Sequence, residues 1–347
     1  MHRASGEGGS VVGIVKSRGS ICLGDVRQYI KLLVILAAEV AFFAVFAPYF
    51  ATSRNFVNIL RQASEIGLMA IPLTLLLVAG FMDLSVGSIM GLSGIVVGLL
   101  MRSGVSIPVA ILAGLLIGVA VGLLNGFMIG CLNIQGVVVT IGTQVMVRGL
   151  CYIITQGRAV SGYPRAFFAL NQRVAGLPIS VWTWLTLSVL AIVILERSYI
   201  GRNIKGIGNN ATACVYSGVP GRRYKVMLFA FCGLITALAS IFLISRISSA
   251  EATLGSGYEL DVITAALLGG VSIMGGKGTI QGAMLGILII GILRNGLNMM
   301  GLSSIYQSII LGVLLLLAVV ERKKNNHGCC RQGAGLHTKH ISKGGTP

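Results

Sequence analysis

The chain has 347 residues, of which 55% are hydrophobic and only 11% charged, and it carries a formal net charge of +17. Soluble domains carry about a quarter charged residues, whereas the stretch from Ile107 to Val147 here has none. This composition excludes an ordinary soluble protein and predicts an all-α fold, a polytopic bundle of membrane helices. The 48 glycines fit such a bundle, because small residues let helices approach closely in lipid.

The positive charge gathers in a few segments rather than along one surface. No aromatic-interleaved basic surface accompanies it, which argues against nucleic acid as a partner and leaves the lipid bilayer. Basic flanks of membrane helices mark the cytoplasmic side. The main clusters are the N-terminal arm with Arg3, Lys16, Arg18, Arg27 and Lys31, the segment from Arg197 to Lys225, and the tail from Arg322 to Lys343.

Windows of about 20 apolar residues predict about ten membrane helices. They divide the chain into a basic cytoplasmic arm (1–28), a transmembrane domain (29–320) with a cytoplasmic loop (197–225), and a basic cytoplasmic tail (321–347) that is predicted to be disordered. The first span is too long for a signal peptide and is expected to stay in the protein. The windows cover 29–50, 62–81, 84–101, 107–131, 134–155, 180–196, 226–246, 258–274, 279–297 and 303–320.

The order of the spans places both termini and the loop 197–225 inside the cell, at the inner membrane. Each of these segments carries one of the basic clusters, in agreement with the charge rule. The loops 156–178 and 247–259 then face outward, although the first holds Arg158, Arg165 and Arg173 against the rule. Its length, with Gly, Pro and aromatic residues, is typical of an ordered surface that receives a partner.

A short echo links Ser85–Gly91 (SVGSIMG) to Val271–Gly276 (VSIMGG). Each copy falls in the third span of its own five-span half. An odd number of spans inverts the second half relative to the first, so two inverted five-helix halves could form the repeat that is common in transporters. A chance match explains so short an identity equally well.

The few acidic residues in the spans do not form a catalytic pair. Asp83 begins a span, where its carboxylate can accept the amide of Ser85 or Val86 as a structural cap. All four histidines lie in the termini, the seven cysteines are scattered, and the motifs HExxH and GxSxG are absent. We therefore expect no catalytic residues, no metal and no cofactor on this chain, and leave the Cys/His-containing tail unassigned.

Several neutral polar side chains lie in spans that are otherwise apolar. A sugar-sized solute needs polar walls that do not bind it strongly, and these residues are the candidates for its path. Each one alone is more often a helix-packing residue. The candidates are Ser85, Ser88, Asn125, Thr140, Thr143, Gln144 and Asn295.

The cytoplasmic loop 197–225 carries signals for one short helix. Asn209 or Asn210 can cap its start, and Gly218 followed by Pro220 ends the segment after about Tyr216. A short capped helix is suited to dock into another protein, and an amphipathic connector fits the same pattern. The turn Gly275–Thr279 fails the phosphate-binding pattern of a P-loop, so any ATP must bind another chain.

Four colinear segments carry a family resemblance. GFMDLSVGSIMGLSG (80–94), VVVTIGTQVMVRGLCYIITQGR (137–158), RNIKGIGNNATACVYSGV (202–219) and GYELDVITAALLGGVSIMGGKGTIQGAMLG (257–286) resemble the permease subunits of ribose-type sugar importers of the ABC class. VVVTIGT, the loop Gly162–Pro164 and the run Ile207–Asn210 are most similar to rhamnose permeases, and autoinducer-2 permeases share part of the pattern. Gly80–Met82 and Cys214 depart from the family's usual residues and leave the solute open.

The resemblance implies a permease that works with three partners. These are a second permease of the same or a related sequence, a periplasmic sugar-binding protein, and a cytoplasmic ATPase that binds ATP and Mg. It further implies that the segment Gly208–Gly218 is the coupling helix, with Gly208, Asn209, Asn210, Ala211, Ala213 and Gly218 as the contact residues.

The sequence therefore predicts the permease subunit of an importer for a monosaccharide, rhamnose- or ribose-like. Import of autoinducer-2 is one alternative. An ion-coupled secondary transporter, with Asp83 as its buried carboxylate, is another. An intramembrane enzyme is the alternative of a different class.

Overall fold

The computed structural model describes residues 23–303 and 305–316, and over this range the fold is the expected membrane helix bundle. Each of the ten predicted windows contains a helix. Within the described residues, seven helices are long and apolar enough to cross a membrane, namely α1, α2, α4, α5, α6, α9 and α11. The helices are α1 (Leu23–Phe46), α2 (Ser53–Val78), α3 (Val86–Arg102), α4 (Ile107–Gly130), α5 (Gly136–Thr155), α6 (Ile179–Arg197), α7 (Tyr199–Asn209), α8 (Ala211–Tyr216), α9 (Gly221–Ile247), α10 (Tyr258–Leu268), α11 (Ile280–Met299) and α12 (Ile305–Leu316).

The length of the eighth predicted span, 258–274, is wrong. Helix α10 has 11 residues and ends at Leu268, which gives about 16 Å of helix against a hydrocarbon core of about 30 Å. Gly269 caps the helix, and Gly270 takes the left-handed conformation with φ of 93°. The apolar composition continues past these glycines, but the helix does not, and residues 269–279 form a turn before α11.

Glycine packing sets the closest helix pair, α4 against α9. A Cβ atom at Gly118 would overlap the carbonyl oxygen of Gly233, and one at Gly122 would overlap that of Phe229. A Cβ at Gly126 would lie 2.8 Å from the Cα of Val226. The four-residue spacing puts these glycines on one face of α4, where they bring the two backbones into contact. The interpretation of the glycines as packing residues is confirmed here.

The helix contacts agree with two related halves. Helix α3 packs on α4 and on α9, while α10, its counterpart in the second half, packs on α11 and on α2. Each short helix thus contacts the next helix of its own half and the second helix of the other half, as expected for two halves related by a two-fold axis. The sequence echo itself does not mark equivalent positions, because Ser85–Gly91 begins a helix and Val271–Gly276 is a turn.

The two predicted outward loops meet at one end of the bundle. Strands β1 (Val160–Ser161) and β4 (Ser249–Ala250) pair antiparallel across them. A 3-10 helix (Arg165–Asn171) and the hairpin of β2 (Arg173–Val174) with β3 (Leu177–Pro178) complete the longer loop. Burial raises the pKa of Tyr163, whose hydroxyl donates to Val160 O at 2.8 Å. This loop is ordered by its own hydrogen bonds.

Candidate functional site

A chain of buried polar side chains joins α3, α4 and α5. Ser85 Oγ accepts from Asn125 Nδ2 at 2.9 Å, and Asn125 Oδ1 accepts from Thr143 Oγ1 at 2.6 Å. Ser88 Oγ donates to Ser85 O at 2.8 Å, one turn into α3. The structure therefore brings together four of the predicted path residues, and in this conformation they bond to one another.

Asp83 anchors one end of this network. It is fully buried, and its Oδ1 accepts both the Ser85 amide at 2.9 Å and the Ser85 hydroxyl at 2.6 Å. The Ser85 amide is one of the two that the sequence predicted for it. The Cys232 thiol lies beside the carboxylate. The carboxyl group is thus held by neutral donors at the start of α3.

The other three predicted path residues lie elsewhere. Gln144 Nε2 donates to Glu259 Oε1 at 3.0 Å and ties α5 to the start of α10. Thr140 Oγ1 is 3.3 Å from Val137 O within its own helix. Asn295 Oδ1 accepts from Asn55 Nδ2 at 2.9 Å and joins α11 to the start of α2, apart from the network around Ser85.

The sequence reasoning missed two ion pairs in which a buried carboxylate meets a partly exposed arginine. Arg246 binds Glu65 with two hydrogen bonds of 2.7 and 2.8 Å, and Arg294 binds Asp261 at 2.7 Å. Isolated charge is costly in the membrane, so arginines inside spans already indicated such pairs. The sequence did not reveal which carboxylate each arginine meets, because the two members of a pair can be far apart in the chain. Arg246 and Glu65 are separated by 181 residues.

An irregular segment, residues 251–257, enters the bundle between β4 and α10. It packs against the glycines of α3: a Cβ at Gly91 would lie 3.1 Å from Leu254 O, and one at Gly87 would overlap Gly255 O. Arg148 of α5 donates to the carbonyls of Ala252 at 2.6 Å and Leu254 at 2.8 Å.

This segment reaches deep into the bundle, because Gly87 lies about 22 Å along α3 from Arg102 at the helix end. Backbone without regular hydrogen bonds is tolerated at such depth only where protein covers it or where it borders a polar path. Arg148 supplies the missing donors for two of its carbonyls. Helix α10 therefore starts inside the bundle and not at its surface.

The loop 197–225, which the sequence predicts to be cytoplasmic, is more ordered than the sequence indicated. Its first part is helix α7, which was not predicted, and which is anchored by the buried residues Gly201, Ile204 and Ile207. Asn210 then caps α8, its Oδ1 accepting from Ala213 N at 2.9 Å, and Gly218 follows with φ of 77°. Asn210 is thus the cap, and Asn209 is the last residue of α7.

Helix α8 projects from the bundle. None of its residues is buried, and Val215 and Tyr216 are 65% and 88% exposed. Its base is fixed, because a Cβ at Gly208 would overlap both Val78 O and Gly276 N. Helix α8 therefore combines a closely packed base with an exposed apolar tip.

Among the described residues, no group of three or more His, Cys, Asp or Glu side chains is arranged to hold a metal ion. The cysteines and histidines of the tail lie outside the described residues, as do the arm up to residue 22 and the tail from residue 321.

Comparison with known proteins adds a second line of observation. A family model described as branched-chain amino acid transport system / permease component matches residues 55–319. The ribose import permease protein RbsC of Escherichia coli strain K12 is 37% identical over 85% of this chain and 94% of its own length. RbsC of Bacillus subtilis strain 168 is 39% identical over 81% and 89%. The L-arabinose transport system permease protein AraH of Escherichia coli strain K12 is 36% identical over 87% and 93%. No solved structure matches the chain.

Proposed function

Since this chain belongs to the family of branched-chain amino acid transport system permease components, a multi-pass membrane transport family, we propose that it is the permease subunit of an ATP-driven monosaccharide importer. The relatives named for ribose and L-arabinose import support a sugar as the solute. The observation that carries the coupling to an ATPase is the exposed, capped helix α8 on its rigid base.

In the proposed mechanism the chain performs no covalent chemistry. A separate cytoplasmic ATPase, which holds ATP and Mg, moves α8, and a periplasmic binding protein delivers the sugar to the outward loops. A second permease, identical or related, completes the complex. The bundle alternates between two states of a solute path, and the ATPase shifts the balance between them by binding one state more tightly. The residues proposed to contact the ATPase are Gly208, Asn209, Asn210, Ala211, Ala213 and Gly218.

Proteoliposomes test the mode of energy coupling. The permease is reconstituted with the ATPase and the sugar-binding protein that are encoded beside it, and uptake of labelled sugar is measured. We expect uptake to require internal ATP and to persist when ionophores collapse proton and sodium gradients. Uptake by the permease alone, driven by either gradient, would contradict the proposal and favour the ion-coupled alternative.

A proline in α8 tests the coupling contact. Ala213→Pro removes the amide that donates to Asn210 Oδ1 and so breaks the N-cap of this six-residue helix, at a cost of about 1 kcal/mol. Gly218→Val strains a residue with φ of 77°. We expect both variants to insert normally and to lose ATPase co-purification or ATP-driven uptake. Thr212→Ala, at an exposed site of the same helix, is the control and should behave as wild type.

The solute of the importer can be narrowed to a class of sugar. The resemblance to rhamnose permeases and the named ribose and L-arabinose relatives lead us to expect a five- or six-carbon sugar. Titration calorimetry on the sugar-binding protein encoded beside this chain, with ribose, arabinose, rhamnose and autoinducer-2, identifies the solute directly. Binding of autoinducer-2 alone would replace the nutrient-sugar assignment.

A further inference from the structure

The turn between α10 and α11 presents an apolar tip at the α8 end of the bundle. Met274 is 85% exposed and Ile273 is 39% exposed. We propose that this turn, residues 271–278, is a second docking contact for the ATPase that α8 engages, an inference that rests on the function proposed above.

The turn and the base of α8 form one continuous surface. A Cβ at Gly275 would lie 2.8 Å from Gly208 O and 3.0 Å from the Cα of Gly80. The Asn209 side chain packs against Gly276, whose amide donates to Val78 O at 2.8 Å. Met274 directly precedes these contacts, so its Cα is about 3.8 Å from that of Gly275. A partner that holds α8 meets the tip of the turn as well.

The turn is held in a fixed shape. Ser272 N donates to Lys277 O at 2.8 Å, and Gly275 N donates to Ser272 O at 3.3 Å. Thr279, where the turn joins α11, has its hydroxyl 2.9 Å from that of Tyr29 on α1. A preorganised loop loses little conformational freedom on binding. Its exposed apolar residues are thus presented in one arrangement.

The chemistry of the tip matches that of α8. Met274, like Val215 and Tyr216 of α8, is an exposed apolar or aromatic side chain, and methionine and tyrosine are enriched at protein interfaces. Exposed basic residues follow both elements in the chain: Lys277 comes three residues after Met274, and Arg222 and Arg223 come shortly after Gly218. This combination fits a partner cleft with an apolar floor and an acidic rim. The lipid surface and a second permease are the competing occupants, and the experiments below separate them from the ATPase.

Affinity measurements give the first test. Permease in nanodiscs is titrated with the ATPase encoded beside it, and wild type is compared with Met274→Asp. We expect the aspartate to weaken binding about tenfold, and the apolar Met274→Leu to stay within about twofold of wild type. Val174→Asp changes a residue that is 55% exposed at the opposite end of the bundle and should leave the affinity unchanged. An affinity of Met274→Asp equal to wild type overturns the proposal.

Thiol protection gives the second test and does not depend on the tolerance of a charge. In a cysteine-free background, Met274→Cys is labelled with a membrane-impermeant maleimide in inside-out vesicles, with and without the ATPase. We expect labelling to slow about tenfold only when the ATPase is present. Protection without the ATPase assigns the tip to lipid or to a second permease and overturns the proposal, as does unchanged labelling with it.

Ala213→Pro in the same titration distinguishes docking through α8 from the second contact at the turn 271–278. If it binds the ATPase as well as wild type, docking through α8 is wrong and the proposed function loses its coupling element. If it loses binding while Met274→Asp does not, only the second contact is wrong.

Discussion

Asp83 lies where the chain turns from α2 into α3. One of its two carboxyl oxygens, Oδ1, accepts hydrogen bonds from both the amide and the hydroxyl of Ser85. An asparagine keeps an acceptor at that position, so we expect Asp83→Asn to retain most transport. Asp83→Ala removes the acceptor, leaves two buried donors unpaired and should destabilise the protein by about 1–3 kcal/mol per group. Thermal unfolding in detergent and ATP-driven uptake measure the two effects. An inactive Asp83→Asn of normal stability would show that the charge itself is required.

For the ion pair of Glu65 and Arg246, removing one charge is expected to cost more stability than removing both. Glu65→Gln leaves the partly buried guanidinium of Arg246 without its carboxylate, and we expect a loss of about 2–3 kcal/mol in the free energy of unfolding. The double variant Glu65→Gln with Arg246→Met removes both charges and should recover much of that loss. Unfolding in mixed SDS micelles provides the measurement. Additive effects of the two single substitutions would mean that the ion pair contributes no coupling.

Helix α4 meets α9 backbone to backbone, and this contact predicts which glycines tolerate a side chain. Gly233→Ala places a methyl group on the carbonyl of Gly118, and we expect a loss of about 1–3 kcal/mol from overpacking. Gly142 is also helical, but has nothing within 4 Å of an added Cβ, so Gly142→Ala should be neutral or slightly stabilising. The yield of folded protein and its unfolding midpoint compare them, and equal losses would contradict this packing.

The elements also show where sequence reasoning was sufficient. Among the described residues, apolar windows located all seven helices that are long and apolar enough to span a membrane, because a span must be apolar over its whole length. Asn210 and Gly218 located α8, because a cap and a left-handed residue depend on local chemistry. The end of α10 and the anchoring of α7 depend on contacts with distant segments. In the candidate site, the polarity of Ser85 and Asn125 within apolar spans was enough to find them. The pairing of Arg246 with Glu65 could not be predicted, because it depends on how distant helices pack.

At the scale of the whole molecule, the loops fall into two groups at opposite ends of the bundle, and the charge rule assigns the α8 end to the cytoplasm. Single cysteines in a cysteine-free background test this assignment. We expect an impermeant maleimide to label Ser161→Cys in intact cells but Ser217→Cys only in inverted vesicles. The termini, probed by Ser10→Cys and Ser342→Cys, should follow Ser217. Labelling of Ser217→Cys from outside would reverse the topology.

The ion pair of Glu65 and Arg246 also sets a requirement on biosynthesis. At about 5 to 20 residues per second, the ribosome needs roughly 10 to 40 s to add the 181 residues between them. During that interval α2 holds a carboxyl group whose hydrogen-bond partner Arg246 has not yet been made. Such a helix is better kept at the insertion machinery, or beside a membrane chaperone, than released into lipid. The seventh span therefore completes the insertion of the second, and chains that stop before Arg246 should be preferred substrates of membrane quality-control proteases.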